Sequence, residues 1–235
     1  MIQLTNLNYQ IKKHNILKNI NLAIQKGEKV GIIGESGAGK TTLAQLLLGI
    51  IKPTSGSRNI NAKTILPIFQ HPLESFNHAY TIQQSLDEAV RYFSIENNAI
   101  IRQRLKQLLN ATDLSTQLLN RYPDKVSGGQ LQRFNIIRSL MLEPEILICD
   151  EITSNLDVIV EQKVSALLKQ YNNNNQHTML FISHDLAFVS QVVDRIIVMK
   201  KGSIVDDFPR TQLFNANRDE YTQALLNMNE IEIKK

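Results

Sequence analysis

The sequence has a single cysteine, no tryptophan and no long apolar segment, and these absences exclude several classes of protein. One cysteine, Cys149, cannot form a disulfide framework, which fits a reducing cytoplasm. No apolar run approaches the roughly 18 residues that a bilayer-spanning helix needs, and no charged segment followed by an apolar one begins the chain. We therefore expect any attachment to a membrane to come through partners.

The charge pattern argues against a nucleic-acid-binding protein. The net charge is +4 and the pI is about 9.1, but lysine and arginine are scattered, without a dense patch or interleaved aromatic residues. A solvated basic surface explains this composition better, and we expect no nucleic-acid partner. A chain of 235 residues can bury one substantial core with a smaller attached lobe.

The most informative segment is GESGAGKT at 34–41, which follows the apolar Val30–Ile33 and precedes the helix-like Thr42–Ile50. Strand, glycine-rich loop and helix form the context that the phosphate-loop pattern requires. The loop N–H groups and the positive end of the helix dipole favour phosphate, whereas a turn that binds nothing is the weaker alternative. Lys40 is expected to reach the β- and γ-phosphates and Thr41 to ligate Mg²⁺. The residues assigned to the nucleotide here are Gly34, Glu35, Ser36, Gly37, Ala38, Gly39, Lys40, Thr41 and Thr42.

A second candidate site follows Ile146–Ile148, an apolar run typical of a buried strand. A carboxylate at the carboxyl end of a parallel strand opens onto the crevice where such sheets bind ligands. Asp150 is therefore expected to hold Mg²⁺, and Glu151 to polarise the attacking water. Alone, this would be a strand ending in a charged turn, but behind a phosphate loop the catalytic interpretation is favoured. Cys149 is interpreted as a small buried residue, because no base adjoins it.

A third segment, Ser127-Gly128-Gly129-Gln130, precedes Leu131–Leu142, whose apolar residues recur at the spacing of a helix with one buried face. Ser127 is expected at the N-cap, where its side chain and the next two N–H groups can meet an anion. Taken by itself, the segment is better explained as an ordinary Ser-Gly-Gly helix start.

The remaining pattern alternates between strands and helices and predicts an α/β protein. Alternation from Ile2 to Ile24 predicts antiparallel strands ahead of the phosphate loop. Further helices are expected at Ile82–Tyr92, Ala99–Leu109 and Val158–Tyr171, and further strands at Thr64–Phe69, Ile146–Cys149, Thr178–Ile182 and Arg195–Met199.

The predicted fold is a phosphate-loop NTPase core with a mixed sheet, an N-terminal antiparallel β lobe and an inserted α-helical subdomain. We expect a single domain, 1–235, in which 1–81 and 143–235 form the catalytic core and 82–142 the helical subdomain. Asn172–Asn175 is interpreted as a polar linker with no further role, and Asn229–Lys235 as a loose tail.

The order of these segments resembles the ATP-binding cassette (ABC) family over nearly the whole chain. The resemblance implies that Tyr9 stacks on the adenine ring. It also implies that Gln70 touches Mg²⁺ and the attacking water, and that residues after it, up to Tyr80, face membrane subunits. His184 is identified with the switch histidine that hydrogen-bonds the γ-phosphate.

The same resemblance implies a head-to-tail dimer, in which each ATP lies between one chain's phosphate loop and the other chain's Ser127–Gln130 segment. Ser154-Asn155-Leu156-Asp157 resembles the loop that crosses the dimer interface. The resemblance implies four catalytic residues: Lys40, Gln70, Glu151 and His184. It implies three Mg²⁺ ligands: Thr41, Gln70 and Asp150. Outside the phosphate loop, it implies that the nucleotide is bound by Tyr9, Ser127, Gly128, Gly129, Gln130 and Asp157.

Within the family, the segments 149–151, 69–77 and 157–158 resemble ATPase subunits of oligopeptide, dipeptide and nickel importers. Ile152 replaces the proline usual after the catalytic glutamate, and Val126 replaces a commoner leucine or methionine. The stretch between Pro53 and Thr64 is short, so a hairpin or helix is expected to be trimmed. The expected lack of a cysteine-containing C-terminal extension favours the nickel-type subunits over the peptide-importing ones.

The resemblance thus implies an ATP-hydrolysing, energy-coupling subunit of an importer for nickel or a related transition metal, with ATP and Mg²⁺ as its cofactors. Its expected partners are a second ATPase subunit, identical or not, two transmembrane permease subunits and, indirectly, an extracellular solute-binding protein. The expected location is the cytoplasmic face of the cell membrane, as a peripheral subunit. The alternatives are an oligopeptide or dipeptide importer ATPase, an inactive regulatory subunit, and a non-transport ABC ATPase of DNA repair or translation.

Overall fold

The computed structural model describes residues 1–93, 98–154, 156–172, 176–215 and 217–228. Within these ranges the chain forms nine strands and seven α-helices. The strands are β1 (Ile2–Ile11), β2 (His14–Ile24), β3 (Lys29–Ile33), β4 (Ser55–Ile60), β5 (Ile65–Ile68), β6 (Ile146–Asp150), β7 (Thr178–Ile182), β8 (Arg195–Lys200) and β9 (Ser203–Pro209). The helices are α1 (Lys40–Leu48), α2 (Ile82–Tyr92), α3 (Asn98–Ala111), α4 (Gly128–Leu140), α5 (Val158–Tyr171), α6 (Leu186–Val192) and α7 (Glu220–Met228). Short 3-10 helices lie at Pro72–Ser75, Thr116–Asn120, Pro123–Lys125 and Arg210–Gln212.

The chain divides into two compact units. The first contains residues 1–66, 145–150 and 172–235, and the second contains residues 67–144 and 151–171. The boundaries of the catalytic core and of the helical subdomain at 82–142 stay a prediction. Asn155 and the predicted tail, Asn229–Lys235, lie outside the described residues.

An antiparallel sheet in the first unit has the strand order β2-β1-β4. Ile2 lies opposite Ile24 of β2 and Ile60 of β4, and Leu4 lies opposite Leu22. The alternating apolar residues of β1 and β2 are buried, as expected for strands with one face on the core. The predicted antiparallel N-terminal strands are therefore confirmed. The short stretch after Pro53, expected to have lost a hairpin or helix, forms the edge strand β4.

The larger sheet is mixed, as predicted, with the order β5-β6-β7-β3-β8-β9. Strands β6, β7, β3 and β8 are parallel, whereas β9 runs antiparallel to β8. Every residue of β6 and of β7 is buried, which explains why these strands are continuous apolar runs rather than alternating ones. Helix α1 packs against β6 and β7 through Leu43, Leu46 and Leu47.

The segment after α5 has a structural role that the sequence interpretation missed. Asn172 is buried, donates from Nδ2 to the carbonyl oxygen of Gly27 at 3.3 Å, and accepts the His177 N–H at 3.1 Å through Oδ1. The interpretation of Asn172–Asn175 as a linker with no further role is therefore wrong for Asn172. A buried amide needs such partners, because an unsatisfied one is costly. Residues 173–175 lie outside the described part of the chain.

The second unit is mostly helical, with α4 contacting both α2 and α3, and α3 contacting α5. Helix α2 begins with a capping box in which Thr81 and Gln84 exchange backbone and side-chain hydrogen bonds. Arg138 of α4 lies over the Phe76 ring at 4.5 Å. The Arg138 contact holds α4, whose first turn carries the predicted Ser127–Gln130 segment.

Candidate nucleotide-binding and catalytic site

The phosphate loop connects β3 to α1 and is closely packed on one side. A Cβ atom on Gly34 would lie 2.2 Å from the carbonyl oxygen of Met199, so only glycine allows the loop to approach β8 this closely. At Gly37, in contrast, an added Cβ would meet nothing within 4 Å among the described residues, although φ is +80°. The loop is therefore pressed onto the sheet at Gly34 and open at Gly37, as a phosphate cradle requires.

Lys40 begins α1 and curls back over the loop. Its Nζ donates to the carbonyl oxygens of Gly34 at 2.7 Å and Glu35 at 3.0 Å, and the residue is only 8% exposed. The loop is also tied to the β8–β9 turn, where the Gly202 N–H donates to the Ala38 carbonyl oxygen at 3.1 Å. A cation and a helix N-terminus thus lie inside one short loop, which favours an anion there.

A further predicted residue, Asp150, lies at the carboxyl ends of the same parallel strands as the phosphate loop. Ile182 of β7 lies opposite Ile32 of β3 on one side and Asp150 of β6 on the other, so these three strands end level with one another. Asp150 is 6% exposed. The carboxyl ends of parallel strands are where such sheets bind ligands, so the phosphate loop and this carboxylate share the expected ligand-binding edge.

His184 is exposed on the turn from β7 to α6, between two residues that are held firmly. The Ser183 N–H donates to the Ile32 carbonyl oxygen at 3.3 Å, and the Ser183 Oγ accepts the Asp185 N–H at 3.0 Å. Asp185 also caps α6 by accepting the Phe188 N–H at 2.9 Å. The turn therefore presents the imidazole to solvent at the strand-end edge.

The oxygen donors of this edge fit Mg²⁺. Thr41 is exposed on the first turn of α1, and its hydroxyl and the Asp150 carboxylate are hard oxygen ligands of the kind that Mg²⁺ prefers. Across the part of the chain that the structure describes, no group of three or more His, Cys, Asp and Glu residues forms a metal cluster.

Tyr9 lies on β1, opposite Leu17, and is partly buried against the core cluster of the first unit. Thr42 follows Thr41 on α1, whereas Glu35 and Ser36 are exposed on the loop. The structure thus places all the predicted first-unit residues, and their roles toward a nucleotide stay predictions.

In the second unit, Glu151 has a strained backbone. Its φ is +50°, in the left-handed region that non-glycine residues rarely occupy, and it is 9% exposed. The turn is held by Ser154, whose Oγ donates to the Glu151 carbonyl oxygen at 3.0 Å, and by Gln132, whose Nε2 donates to the Ile152 carbonyl oxygen at 3.0 Å. Backbone strain of this kind clusters at functional sites, where surrounding contacts hold it in place.

Ser127 is the N-cap of α4, as predicted. Its Oγ accepts the Gln130 N–H at 3.2 Å, while Gln130 Oε1 accepts the Ser127 N–H at 3.0 Å, which completes a capping box. A hydroxyl that accepts one hydrogen bond keeps its own proton for donation. A Cβ on Gly128 would meet nothing within 4 Å in the described chain, so the first turn of α4 is open to an approaching group.

The two other predicted residues of the second unit lie in connecting segments. Gln70 is half-buried, two residues after β5 ends. Asp157 caps α5, because its Oδ1 accepts the Val160 N–H at 2.9 Å. This capping role was not predicted, and the role of Asp157 toward a nucleotide stays a prediction.

Sequence reasoning missed Gln132 and Tyr221. Gln132 is a polar residue among the buried residues of α4. A polar side chain at a buried helix position usually has a hydrogen-bond partner, so the sequence pattern could have indicated a role for it. Tyr221 accepts the Glu35 N–H at 3.1 Å across a separation of 186 residues, which no local pattern reveals.

Cys149 is buried in β6, in agreement with its interpretation as a structural residue. Burial, and secondarily the neighbouring Asp150 carboxylate, raises the pKa of the Cys149 thiol far above its usual range. The thiolate is the nucleophilic form, so this cysteine cannot take a catalytic role at neutral pH.

The ABC transporter family model matches residues 17–154, which is more than half of the chain. The chain therefore belongs to the ABC transporter family and is an energy-coupling ATPase subunit. Among the described residues, no helix combines the length and apolar character needed to cross a bilayer.

Individual proteins with high sequence similarity to this chain carry a more specific name than the family does. The chain is 50% identical over 228 residues to the nickel import system ATP-binding protein NikE of Staphylococcus aureus strain USA300, and the match covers 96% of this chain and 98% of that protein. The proteins of the same name from strains NCTC 8325 / PS 47 and COL match with the same identity and coverage.

Solved structures confirm the predicted fold class. The dimeric bacterial ABC transporter cassette MJ0796 has a TM-score of 0.81 at 28% identity, covering 89% of this chain and 99% of that chain. A dimeric post-hydrolysis state of MJ0796 bound to ADP and Pi matches equally well. For cbiO1 from Clostridium perfringens, part of the ABC transporter complex cbiONQ, the TM-score is 0.77 at 26% identity, with 97% and 95% of the two chains covered.

Proposed function

We propose that this chain hydrolyses ATP to drive an importer for nickel or a related transition metal, free or chelated. The observation that carries this proposal is the 50% identity to a nickel import ATP-binding protein across almost the full length of both chains. ATP hydrolysis is supported by the grouping of three features at the carboxyl ends of the parallel strands: the phosphate loop, Asp150 and His184.

Residues of the first unit bind the nucleotide. The loop N–H groups and the Lys40 ammonium contact the β- and γ-phosphates, and Tyr9 stacks on the adenine ring. Thr41 and Asp150 of this unit would hold Mg²⁺, which neutralises phosphate charge when bound, and Gln70 is a further Mg²⁺ ligand that the family resemblance implies. Lys40 adds a second fixed positive charge, where charge develops during phosphoryl transfer.

Glu151 accepts a hydrogen bond from the attacking water, Gln70 orients that water, and His184 hydrogen-bonds the γ-phosphate. The turn at Glu151 is held by hydrogen bonds to its backbone, so the chain position from which the carboxylate extends is set before substrate arrives and less reorganisation is needed during the reaction.

Two cassettes act together, either two copies of this chain or this chain and a second ATPase subunit. The open first turn of α4, at Ser127–Gln130, contacts the nucleotide bound to the partner, and 154–157 crosses the interface. The similarity to a dimeric cassette supports this arrangement. Binding of ATP then drives the two cassettes to associate, and hydrolysis of ATP allows them to separate.

The remaining partners follow from the importer assignment. Two transmembrane permease subunits bind the segment after Gln70, and an extracellular solute-binding protein delivers the metal to them. The chain is then a peripheral subunit at the cytoplasmic face of the membrane.

Uptake of radioactive nickel in cells tests the proposal. Cells that lack the chromosomal copy of this chain receive either the unaltered chain or Glu151→Gln, at matched expression. We expect the unaltered chain to restore nickel accumulation and Glu151→Gln to fail. Restored uptake of a dipeptide without nickel would instead assign a peptide importer. No effect on nickel, on related transition metals or on the dipeptide would overturn the proposal.

A further inference from the structure

Tyr221 of α7 contacts the phosphate loop directly. Its Oη accepts the Glu35 N–H at 3.1 Å, and the residue is only 8% exposed. Desolvation raises the pKa of the Tyr221 phenol, so the hydroxyl stays protonated at neutral pH. None of the nucleotide-binding motifs includes this tyrosine.

The Gly34–Glu35 peptide group is thereby held at both of its polar atoms. Its carbonyl oxygen accepts the Lys40 Nζ at 2.7 Å, and its N–H donates to Tyr221. A peptide plane fixed at both ends cannot rotate without breaking one of these bonds. The orientation of this plane sets the direction of the loop that follows it.

The start of α7 is itself anchored to the neighbouring sheet, so Tyr221 is a fixed partner. The Tyr221 N–H donates to Asp219 Oδ1 at 2.9 Å, and the Asp219 N–H donates to Asp206 Oδ2 of β9 at 3.2 Å. The Lys200 ammonium of β8 lies 4.4 Å from the centroid of the Tyr221 ring. Ring and helix start are therefore held independently of the hydroxyl contact.

We propose that Tyr221 is a positioning residue for the phosphate loop, through which α7 sets the affinity of the chain for nucleotide. The inference rests on the proposed nucleotide-binding function of that loop. The hydroxyl pre-orients the Gly34–Glu35 peptide group, so that the loop does not lose this freedom when phosphate binds.

The variant Tyr221→Phe tests this, because it removes the hydroxyl and keeps the ring under Lys200. Binding of ADP with Mg²⁺ to the purified full chain is measured by calorimetry, since ADP is not hydrolysed. We expect Kd to rise about two- to tenfold, the range that corresponds to one lost hydrogen bond. Tyr92→Phe, at an exposed tyrosine of α2, is the matched control and leaves Kd unchanged.

The hydrogen-exchange rate of the Glu35 amide is a second measurement. It depends on the hydrogen bond to the Tyr221 hydroxyl and would not change if the tyrosine ring only packed against its neighbours. We expect the Glu35 amide to exchange slowly in the unaltered chain, although its residue is exposed, and to exchange faster in Tyr221→Phe. The measurement on the unaltered chain needs no variant, so a poorly folded Tyr221→Phe does not remove the test.

An unprotected Glu35 amide in the unaltered chain, or an unchanged Kd in folded Tyr221→Phe, would overturn the positioning role while leaving the proposed function intact. Absence of nucleotide binding by the unaltered chain would overturn both.

Discussion

Gln132 of α4 donates a hydrogen bond from Nε2 to the carbonyl oxygen of Ile152 at 3.0 Å, and it is only 1% exposed. Ile152 directly follows Glu151, whose backbone is in the left-handed region. The helix that starts at the SGGQ segment is thus bonded to the turn that carries the proposed catalytic carboxylate.

Replacing Gln132 by Leu removes this bond without creating a large cavity. We expect kcat for ATP hydrolysis to fall about tenfold with a smaller change in KM, because the turn that carries the Glu151 carboxylate loses a hydrogen bond that holds it. The free energy of unfolding should fall by about 1–3 kcal/mol, since a buried carbonyl loses its partner. Steady-state kinetics and urea denaturation measure the two effects. Gln103→Leu, on the exposed face of α3, is the control, and an unchanged kcat in Gln132→Leu would contradict the coupling.

Gly128→Asp separates folding from assembly. An added Cβ at Gly128 meets nothing within 4 Å in the described chain, and a carboxylate is favourable in the first turn of α4. We expect the melting temperature and ADP binding to stay close to those of the unaltered chain. ATP hydrolysis should fall at least about a hundredfold, because a carboxylate would repel the phosphate bound to the partner cassette. Normal hydrolysis would contradict the assigned role of this segment.

Alanine substitutions at Gly34 and Gly37 should lower the free energy of unfolding by different amounts and for different reasons. Gly34→Ala forces Cβ against the Met199 carbonyl oxygen, so we expect a loss of about 3 kcal/mol in unfolding free energy. Gly37→Ala meets open space and bears only the cost of a positive φ, about 1–2 kcal/mol. Urea denaturation of the two variants side by side measures the difference, and equal losses would mean that the close approach at Gly34 is not limiting.

Cys149 should be inert to alkylation in the folded chain. Its burial excludes reagent, and the raised pKa keeps the thiol protonated. With iodoacetamide at pH 8, we expect labelling to be at least about a hundredfold slower without urea than with it, because only the unfolded thiol reacts. Mass spectrometry measures the labelled fraction over time. Rapid labelling of the native chain would contradict the prediction and show that β6 opens locally.

Strongly periodic segments were predictable from the sequence. The predicted spans 82–92, 158–171 and 178–182 are confirmed at both ends, because their apolar spacing or continuous apolar character left few alternatives. Strand β4, with the sequence SGSRNI, was not predicted, since its residues are mostly exposed and lack alternation. It forms because β1 offers an unpaired edge.

The motifs of the candidate site were also predictable, because the glycine spacing and the strand-end carboxylates follow from local chemistry. The supporting residues were not. Tyr221 meets Glu35 only through the tertiary fold, and the bond from Gln132 to Ile152 depends on which face of α4 is buried. Asn172, interpreted as a linker residue, gains its anchoring role from Gly27, 145 residues away.

The dependence of hydrolysis on pairing of cassettes is tested most directly by dilution. Specific ATPase activity is measured against concentration for the chain alone and for the chain mixed with a second ATPase subunit of its importer, while sedimentation reports the oligomeric state. We predict that activity per chain falls with the dimer fraction, and that Glu151→Gln remains dimeric with ATP but does not hydrolyse it. Constant activity per chain in strictly monomeric samples would contradict the account.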